Sequence, residues 1–299
     1  MTYHIPVMRD EVLDGLRIEK GKTYLDATLG GGGHTGAILG SGGKVIAIDR
    51  DDDALNYCKT VLSDGATYIK GEYERAAELL GGIGVTSVSG AVMDLGVSSH
   101  QLDDAERGFS YMRSGPLDMR MDRNGGFSAY DVVNGYTADE LADILRKYGE
   151  ESFAGRIARA IVARREKSAI KTTTELSDII VSSVPHRKGG HPAKKTFQAI
   201  RIEVNGELKG LYAAVTDIFG LIERGGRLCV ISFHSLEDRI VKSAFAELSA
   251  DCICPKYLPV CVCGHRAVGK TIAKIRPSQE ELDTNPRSAS ATLRVIEKL

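Results

Sequence analysis

No apolar run in this sequence approaches the roughly 20 residues that a membrane-spanning helix needs. The opening residues Met1-Thr2-Tyr3-His4-Ile5-Pro6 lack the pattern of a signal peptide, so a cytoplasmic chain with no membrane partner is expected. Net charge is nearly absent, at a formal −1. No global field therefore draws the protein to nucleic acid, and such binding must come from a local basic face. Internal repeats and low-complexity segments are missing as well. Cysteine is sparse, with six in the chain, and Cys58 and Cys229 fall in helix- and strand-like contexts where plain core residues are expected. What remains is 299 residues with 42% hydrophobic content, enough for a large core and one additional domain.

The chain is organised around Tyr24-Leu25-Asp26-Ala27-Thr28-Leu29, the turn Gly30-Gly31-Gly32-Gly33-His34-Thr35, and the strand Ile46-Ala47-Ile48-Asp49. This reads as strand, glycine turn, short helix and second strand. Adjacent glycines let the main chain bend sharply and approach a ligand. Their amides fall where a helix begins, with donors that the helix leaves unsatisfied. Asp49 closes the second strand, where a carboxylate can accept two ribose hydroxyls, so a nucleoside-bearing cofactor is expected across the strand carboxyl ends. Gly31, Gly33 and Gly36 satisfy the dinucleotide spacing, which keeps an NAD-linked oxidoreductase in view. Asp26 precedes the glycines where a pyrophosphate would be repelled, and Asp94 ends another apolar strand, Ala91-Val92-Met93, on the same edge. Several acids around one turn favour a cationic cofactor, and S-adenosylmethionine is the choice.

Strand and helix signals alternate through the first third. A helix is expected over 7–13, lying above the cofactor edge, with further helices over 52–62 and 75–80 and a strand at Thr67-Tyr68-Ile69. Tyr73 is placed to face the adenine. The order βαβα predicts a parallel, doubly wound sheet. Residues 103–124 are polar and without periodicity, a long functional loop. From 138 to about 183 the pattern is helical, and Thr172-Thr173-Thr174-Glu175 resembles an N-terminal cap. Residues 103–205 are read as a helical insert within a discontinuous sheet domain of 1–102 and 206–299. Sheet texture returns with helices over 208–221 and 236–248, a strand over 227–231, and a closing pair near 271–275 and 292–296.

Chemistry is expected in four places. Asp94-Leu95-Gly96-Val97-Ser98-Ser99 follows a strand at the reactive edge, where Asp94, Ser98 and Ser99 would hold an acceptor. In the loop that follows, Phe109 is placed to stack on a base and Arg120 to reach a phosphate, with Asp118 a second acceptor for an amine hydrogen. The insert carries Arg156, Arg159, Arg164, Arg165, Lys167, Arg187, Lys188, Lys194, Lys195 and Arg201. Its latter half holds an excess of about eight positive charges, against about five negative over 1–102. A basic module beside an acidic one suggests a grip on a nucleic-acid backbone. Phe233 and His234 follow the fifth strand and point over the same edge as Asp94. Separately, Cys252, Cys254, Cys261 and Cys263 supply enough thiols for tetrahedral zinc. Their C-x-C spacing is not the common one, and metal-free turns in a reducing compartment are the preferred reading.

Taken together, these stretches resemble the bacterial 16S ribosomal RNA cytosine N4-methyltransferases that modify a cytosine in the decoding site. The matching residues are 26–34, Asp49-Arg50-Asp51, 94–99 and Gln101-Leu102-Asp103-Asp104-Ala105-Glu106-Arg107-Gly108-Phe109. To these are added Gly115-Pro116-Leu117-Asp118-Met119-Arg120-Met121-Asp122, Tyr148-Gly149-Glu150-Glu151, His191-Pro192-Ala193, 197–202, 231–241 and Asn285-Pro286-Arg287. They span nearly the whole chain. The resemblance implies a class I S-adenosylmethionine-dependent methyltransferase fold with a helical insert, and 16S ribosomal RNA of the small ribosomal subunit as substrate. It carries cofactor contacts onto Gly32, Gly33, His34, Asp49, Tyr73, Asp94 and Gln101. Tyr73 stands where the family often has phenylalanine, His100 where proline is frequent, Lys194-Lys195 in place of a Thr-Arg pair, and Ala289 where arginine is common. A non-enzymatic RNA-binding assembly factor is the alternative that the basic insert alone would support.

Overall fold

The computed structural model describes residues 6–62, 65–185, 190–255, 258 and 260–299. Arg187 and Lys188, two of the expected basic residues, lie outside the described residues. Elements run in the order α1 (Arg9–Leu16), β1 (Thr23–Asp26), α2 (Gly33–Gly40), β2 (Lys44–Asp49), α3 (Asp52–Val61), β3 (Ala66–Lys70), α4 (Ala76–Gly82) and β4 (Val88–Asp94). Six helices follow: α5 (Ser99–Asp103), α6 (Ala129–Gly135), α7 (Ala138–Gly149), α8 (Ala154–Arg165), α9 (Thr173–Ser183) and α10 (Lys194–Asn205). The chain closes with α11 (Leu211–Leu221), β5 (Ile222–Ser232), α12 (Ser235–Leu248), β6 (Gly269–Ile275), α13 (Gln279–Thr284) and β7 (Thr292–Lys298).

By contact, residues 1–96 with 208–299 form one compact unit and 97–207 a second. Ser98, Ser99 and Gln101, grouped with 1–102 in the sequence reading, therefore fall in the helical unit. The first unit is a seven-stranded sheet in the order β3-β2-β1-β4-β5-β7-β6. Strands β1 to β5 are parallel, whereas β7 runs antiparallel to both β5 and β6. That is the doubly wound class I methyltransferase arrangement, and its order reverses at β1, between β2 and β4, where such sheets open a crevice at the strand carboxyl ends.

Strand periodicity assigns side chains to two faces. Leu25, Ile46, Ile48, Met93, Leu228 and Val230 pack with α11 and α12 on one side. Tyr24, Val45, Ala47, Val92, Cys229 and Ile231 pack with α1, α2 and α3 on the other. Burial on both faces explains why these strands read as continuous apolar runs. Cys58 and Cys229 are core residues, as expected. Helix α1, expected over the cofactor edge, runs along the second sheet face, and its entry reaches the glycine turn, where a Cβ at Gly33 would stand 2.7 Å from Pro6. Met8, Val12 and Leu16 are buried on the second sheet face, and the Arg227 guanidinium donates to the Gly15 carbonyl at 3.2 Å. Burying three such side chains is worth about 1.5–3 kcal/mol each, and that fixes the helix on the face.

The helical unit has a core of its own, in which Leu141, Leu145, Ile157, Ile161, Leu176, Ile180, Phe197 and Ile200 meet. Capping boxes at Thr137/Glu140 and Thr172/Glu175 start α7 and α9, the second at the cap read from the sequence. The stretch 103–124, expected as a long functional loop, is irregular but in part buried. Phe109, Leu117, Met119 and Met121 are buried in this core. Arg107, only 1% exposed, donates to the carbonyls of Arg120 and Met121 at 3.1 and 3.0 Å. Asn205 adds a bond to the Met119 carbonyl at 2.7 Å and accepts from the Met121 amide at 2.8 Å. A Cβ at Gly115 would stand 1.8 Å from the Ala105 carbonyl oxygen, so only glycine fits there. Irregular backbone is tolerated inside the unit because buried side chains satisfy its polar groups.

Candidate active site

Because β1, β2 and β4 are parallel neighbours, their terminal residues Asp26, Asp49 and Asp94 arrive at one edge of the sheet. The turn from β1 into α2 lies at that edge. Gly32 has φ +75°, and a Cβ there would come within 2.6 Å of Leu62 and 2.7 Å of Cys58. Both conformation and space demand glycine. His34 opens the first turn of α2.

The three carboxylates are held differently. Asp26 is 1% exposed; it accepts from the Thr35 hydroxyl at 2.7 Å and from the Thr28 amide at 3.2 Å. Burial pushes its pKa up, against the opposing pull of His34 and the Thr35 bond. Asp26, expected from the sequence to meet a cofactor cation, is buried in this geometry with one carboxylate oxygen on Thr35 and the other on Thr28. Its influence on the edge is through charge. Asp49 is half-buried and accepts the Gly30 amide at one oxygen and the Asp51 amide at the other, each at 2.8 Å. Burial raises its pKa to about 6 despite those two amides. Each carboxylate oxygen can accept a second hydrogen bond, so the group is oriented without being used up.

Asp94 is fixed by its own amide, which donates to the Thr28 hydroxyl at 2.6 Å. Its Oδ1 is buried with no hydrogen-bond partner, and its Oδ2 lies 3.6 Å from His34 Nε2. Neither ring nitrogen of His34 makes a hydrogen bond. Burial pushes the His34 pKa down, but Asp94 and then Asp26 outweigh it and the net shift is upward. Two side chains with buried, unused polar atoms at one edge mark a candidate place to meet a ligand. Tyr73, in the short turn Tyr73–Arg75 after β3, is half-buried against the first core.

His234 is differently engaged. It is the N-cap of α12: Nδ1 accepts the Glu237 amide at 3.4 Å, and Nε2 lies 3.0 Å from Glu237 Oε1. Glu237 in turn accepts the amides of Phe233 and His234 at 2.8 and 3.3 Å. The capping box uses Nδ1 of His234, while its Nε2 is buried beside Glu237 without a hydrogen bond, and Phe233 packs in part against the second sheet-face core. Sequence reasoning missed Thr28, Thr35 and Glu237, the partners that lock Asp94, Asp26 and His234. Only the capping spacing from His234 to Glu237 was legible beforehand.

Within the helical unit, Ser98 caps α5 and accepts from the Gln101 amide at 3.2 Å, while the Gln101 side-chain oxygen accepts from the Ser98 amide at 3.0 Å. Ser99 is the first residue of that helix. Asp118 is clasped by Arg120 through two bonds of 2.7 and 2.9 Å. Burial raises the Asp118 pKa, but the Arg120 bonds outweigh this and hold it below the usual carboxylate range. Arg120 also donates to the carbonyls of Arg123 and Gly125. Arg120 is thus a strut for Asp118, not a free phosphate contact. Phe109 is 5% exposed, with the Arg107 guanidinium 5.9 Å from its ring centre, so it offers no face to a base. Arg201 is paired twice at 2.8 Å with the buried Glu207.

Of the remaining cations, Arg156, Arg159, Lys167 and Lys194 are exposed. Arg164 and Arg165 donate to the Ser168 and Val133 carbonyls at 3.0 and 2.7 Å, and Lys195 to the Glu150 carbonyl at 2.8 Å. Arg156 and Arg164 share a groove of about 580 Å³ with Glu175 and Asp178, so its walls carry both signs. The four clustered cysteines, read as metal-free turns, bring their sulfurs within 4.8 Å of one another.

The family model described as the MraW methylase family matches residues 1–299. A protein of Clostridioides difficile (strain 630), "Ribosomal RNA small subunit methyltransferase H", is 48% identical over 308 residues, covering 99% of each chain. Its namesake in Brevibacillus brevis is 47% identical over 308 residues, covering 99% of this chain and 98% of that one. One from Clostridium botulinum (strain Loch Maree / Type A3) is 48% identical over 305 residues, with 99% of both covered. A family model that matches the whole chain and relatives about 48% identical along nearly their whole length lead to one conclusion: the chain is a member of the MraW methylase family.

Proposed function

We propose that this protein transfers a methyl group from S-adenosylmethionine to the exocyclic N4 amine of a decoding-site cytidine in 16S ribosomal RNA. The observation that carries the reading is the strand-carboxyl edge, where Asp49, Asp94 and His34 border a glycine turn and Asp94 and His34 hold unused polar atoms. When bound, S-adenosylmethionine supplies a methyl group on a cationic sulfur. An edge with three carboxylates suits that cation and opposes a pyrophosphate, which weighs against NAD despite the Gly31, Gly33 and Gly36 spacing. Relatives named for methylation of small-subunit ribosomal RNA, similar along their whole length, support the substrate class.

Each residue then has a task. Asp49 accepts the ribose hydroxyls, Gly32 and Gly33 let the backbone come close, and Tyr73 borders the adenine. Asp94 accepts a hydrogen from the cytosine amine and turns its lone pair toward the methyl group. That amine is conjugated with its ring, so correct orientation is what the protein must supply, and orientation alone can contribute several kcal/mol. No nucleophilic cysteine is needed. The base must first leave its stack. Ser98, Ser99 and the ionised Asp118 are the helical unit's candidates for holding it, and Arg156, Arg159 and Lys194 for contacting phosphates.

Calorimetry with S-adenosylhomocysteine and with NAD, followed by labelled methyl transfer to purified small ribosomal subunits, tests the reading. Binding of the first ligand alone and label in the RNA are expected. Binding without transfer to any RNA would favour an assembly factor.

A further inference from the structure

We propose that Cys252, Cys254, Cys261 and Cys263 form a closed tetrathiolate site for one structural zinc ion. The four Sγ atoms lie within 4.8 Å of one another, and all four cysteines are free. Two of the separations are 3.6 Å, Cys261 to Cys263, and 3.8 Å, Cys263 to Cys252. A regular tetrahedron of sulfurs about 2.3 Å from zinc has edges of about 3.8 Å, whereas a disulfide needs about 2.05 Å. The sulfurs are thus spaced for a shared metal and not for bonds to each other.

The backbone supports the same reading. The Cys254 amide points at Cys252 Sγ and the Val262 amide at Cys254 Sγ, each at 3.4 Å. Donors aimed at sulfur stabilise the thiolate form that a metal requires. Apolar burial cannot be what gathers the thiols. Ile253, Val260 and Val262 in the same segment are 50%, 70% and 78% exposed, so these described residues form no hydrophobic core. Small elements that lack a core are commonly held by a metal.

Placement makes the site structural. The segment follows the C-terminal end of α12, where His265 Nε2 lies 3.0 Å from the Glu247 carbonyl oxygen. Helix α12 begins just past the carboxyl end of β5, and its 14 residues span about 21 Å. Four protein ligands leave no open position for a substrate. The ion would fasten the connection between α12 and β6, and the inference does not depend on which substrate is methylated.

Elemental analysis of the full-length protein, purified under reducing, anaerobic conditions without added metal, tests this. About one zinc per chain is expected, released stoichiometrically when a mercurial blocks the thiols. Cobalt exchanged into the site should show the sulfur-to-cobalt charge-transfer band and the visible bands of a tetrahedral thiolate complex. The double variant Cys261→Ser, Cys263→Ser should lose the metal while keeping far-ultraviolet circular dichroism and affinity for S-adenosylhomocysteine. Should that variant fail to fold, the wild-type zinc content and cobalt spectrum still decide. Metal-free protein with four titratable thiols and undiminished melting temperature would overturn the proposal, as would two disulfides or iron in place of zinc.

Discussion

The imidazole of His34 stands 3.6 Å from the carboxylate of Asp94, too far for a hydrogen bond and close enough for a strong Coulombic pull. The ring is 5% exposed and sits in the first turn of α2, where burial and the helix dipole both oppose a positive charge. Asp94 and Asp26 reverse that balance and raise the pKa above 6.5. Protonation of His34 is thereby favoured relative to a free imidazole, at the edge where the strand-end carboxylates gather.

The first prediction concerns that pair. A histidine with raised pKa contributes stability that is present below about pH 6.5 and is lost as pH rises through its folded-state value. Asp94→Asn removes the nearest carboxylate, so the His34 titration should move downward. Nuclear magnetic resonance of the imidazole nitrogens in both proteins reads this directly. An unmoved midpoint would mean that Asp94 does not govern His34.

Asp49 gives the second. In the free protein its carboxyl titrates near pH 6. Ribose hydroxyls donate to the ionised form, so affinity for S-adenosylhomocysteine should be full above that value and fall as pH drops through it. Asp49→Ala should remove this pH step and weaken binding at neutral pH by about 2–3 kcal/mol. Calorimetry across the pH range measures both. A variant with wild-type affinity would place the ribose elsewhere.

Third, the basic residues should separate into two classes. Neutralising Arg156, Arg159 and Lys194, which are exposed, should reduce the slope of log affinity for RNA against log salt by about 0.7–0.9 for each lost phosphate contact. Stability should change little. Arg201→Ala instead breaks a mostly buried pair with Glu207 and should cost about 3–5 kcal/mol, toward the lower end because Arg201 retains 16% exposure. Denaturant unfolding and filter binding at several salt concentrations distinguish them. An unaltered salt slope in the triple variant would turn that face toward bulk solvent.

The sheet was legible because its signals are local. Apolar runs ending in Asp26, Asp49 and Asp94, separated by a glycine turn and helical spacings, dictate parallel strands whose ends share an edge. The stretch 103–124 misled because no periodicity announces a buried irregular segment. Polar Arg107 and Asn205 look solvent-directed in sequence, yet they satisfy the carbonyls of Met119, Arg120 and Met121 inside the core. Arg120 and Arg201 show the same limit. A basic residue advertises charge, but whether it meets a phosphate or an internal carboxylate depends on partners such as Glu207 and Asp118, which spacing alone does not reveal. Burial hid the role of Asp26 in the same way, since its partner Thr35 lies two residues beyond the last of the glycines, within the first turn of α2.

The measurement that bears most directly on methyl transfer is nucleoside mass spectrometry of small-subunit RNA after incubation with S-adenosylmethionine and either wild-type protein or Asp94→Ala. Wild-type protein should produce N4-methylcytidine in the decoding-site fragment. The variant should turn over at least about a hundredfold more slowly with RNA affinity nearly intact, as expected for loss of a positioning group. Methylation of a different nucleoside, or near-normal turnover by Asp94→Ala, would contradict the assignment of the catalytic edge.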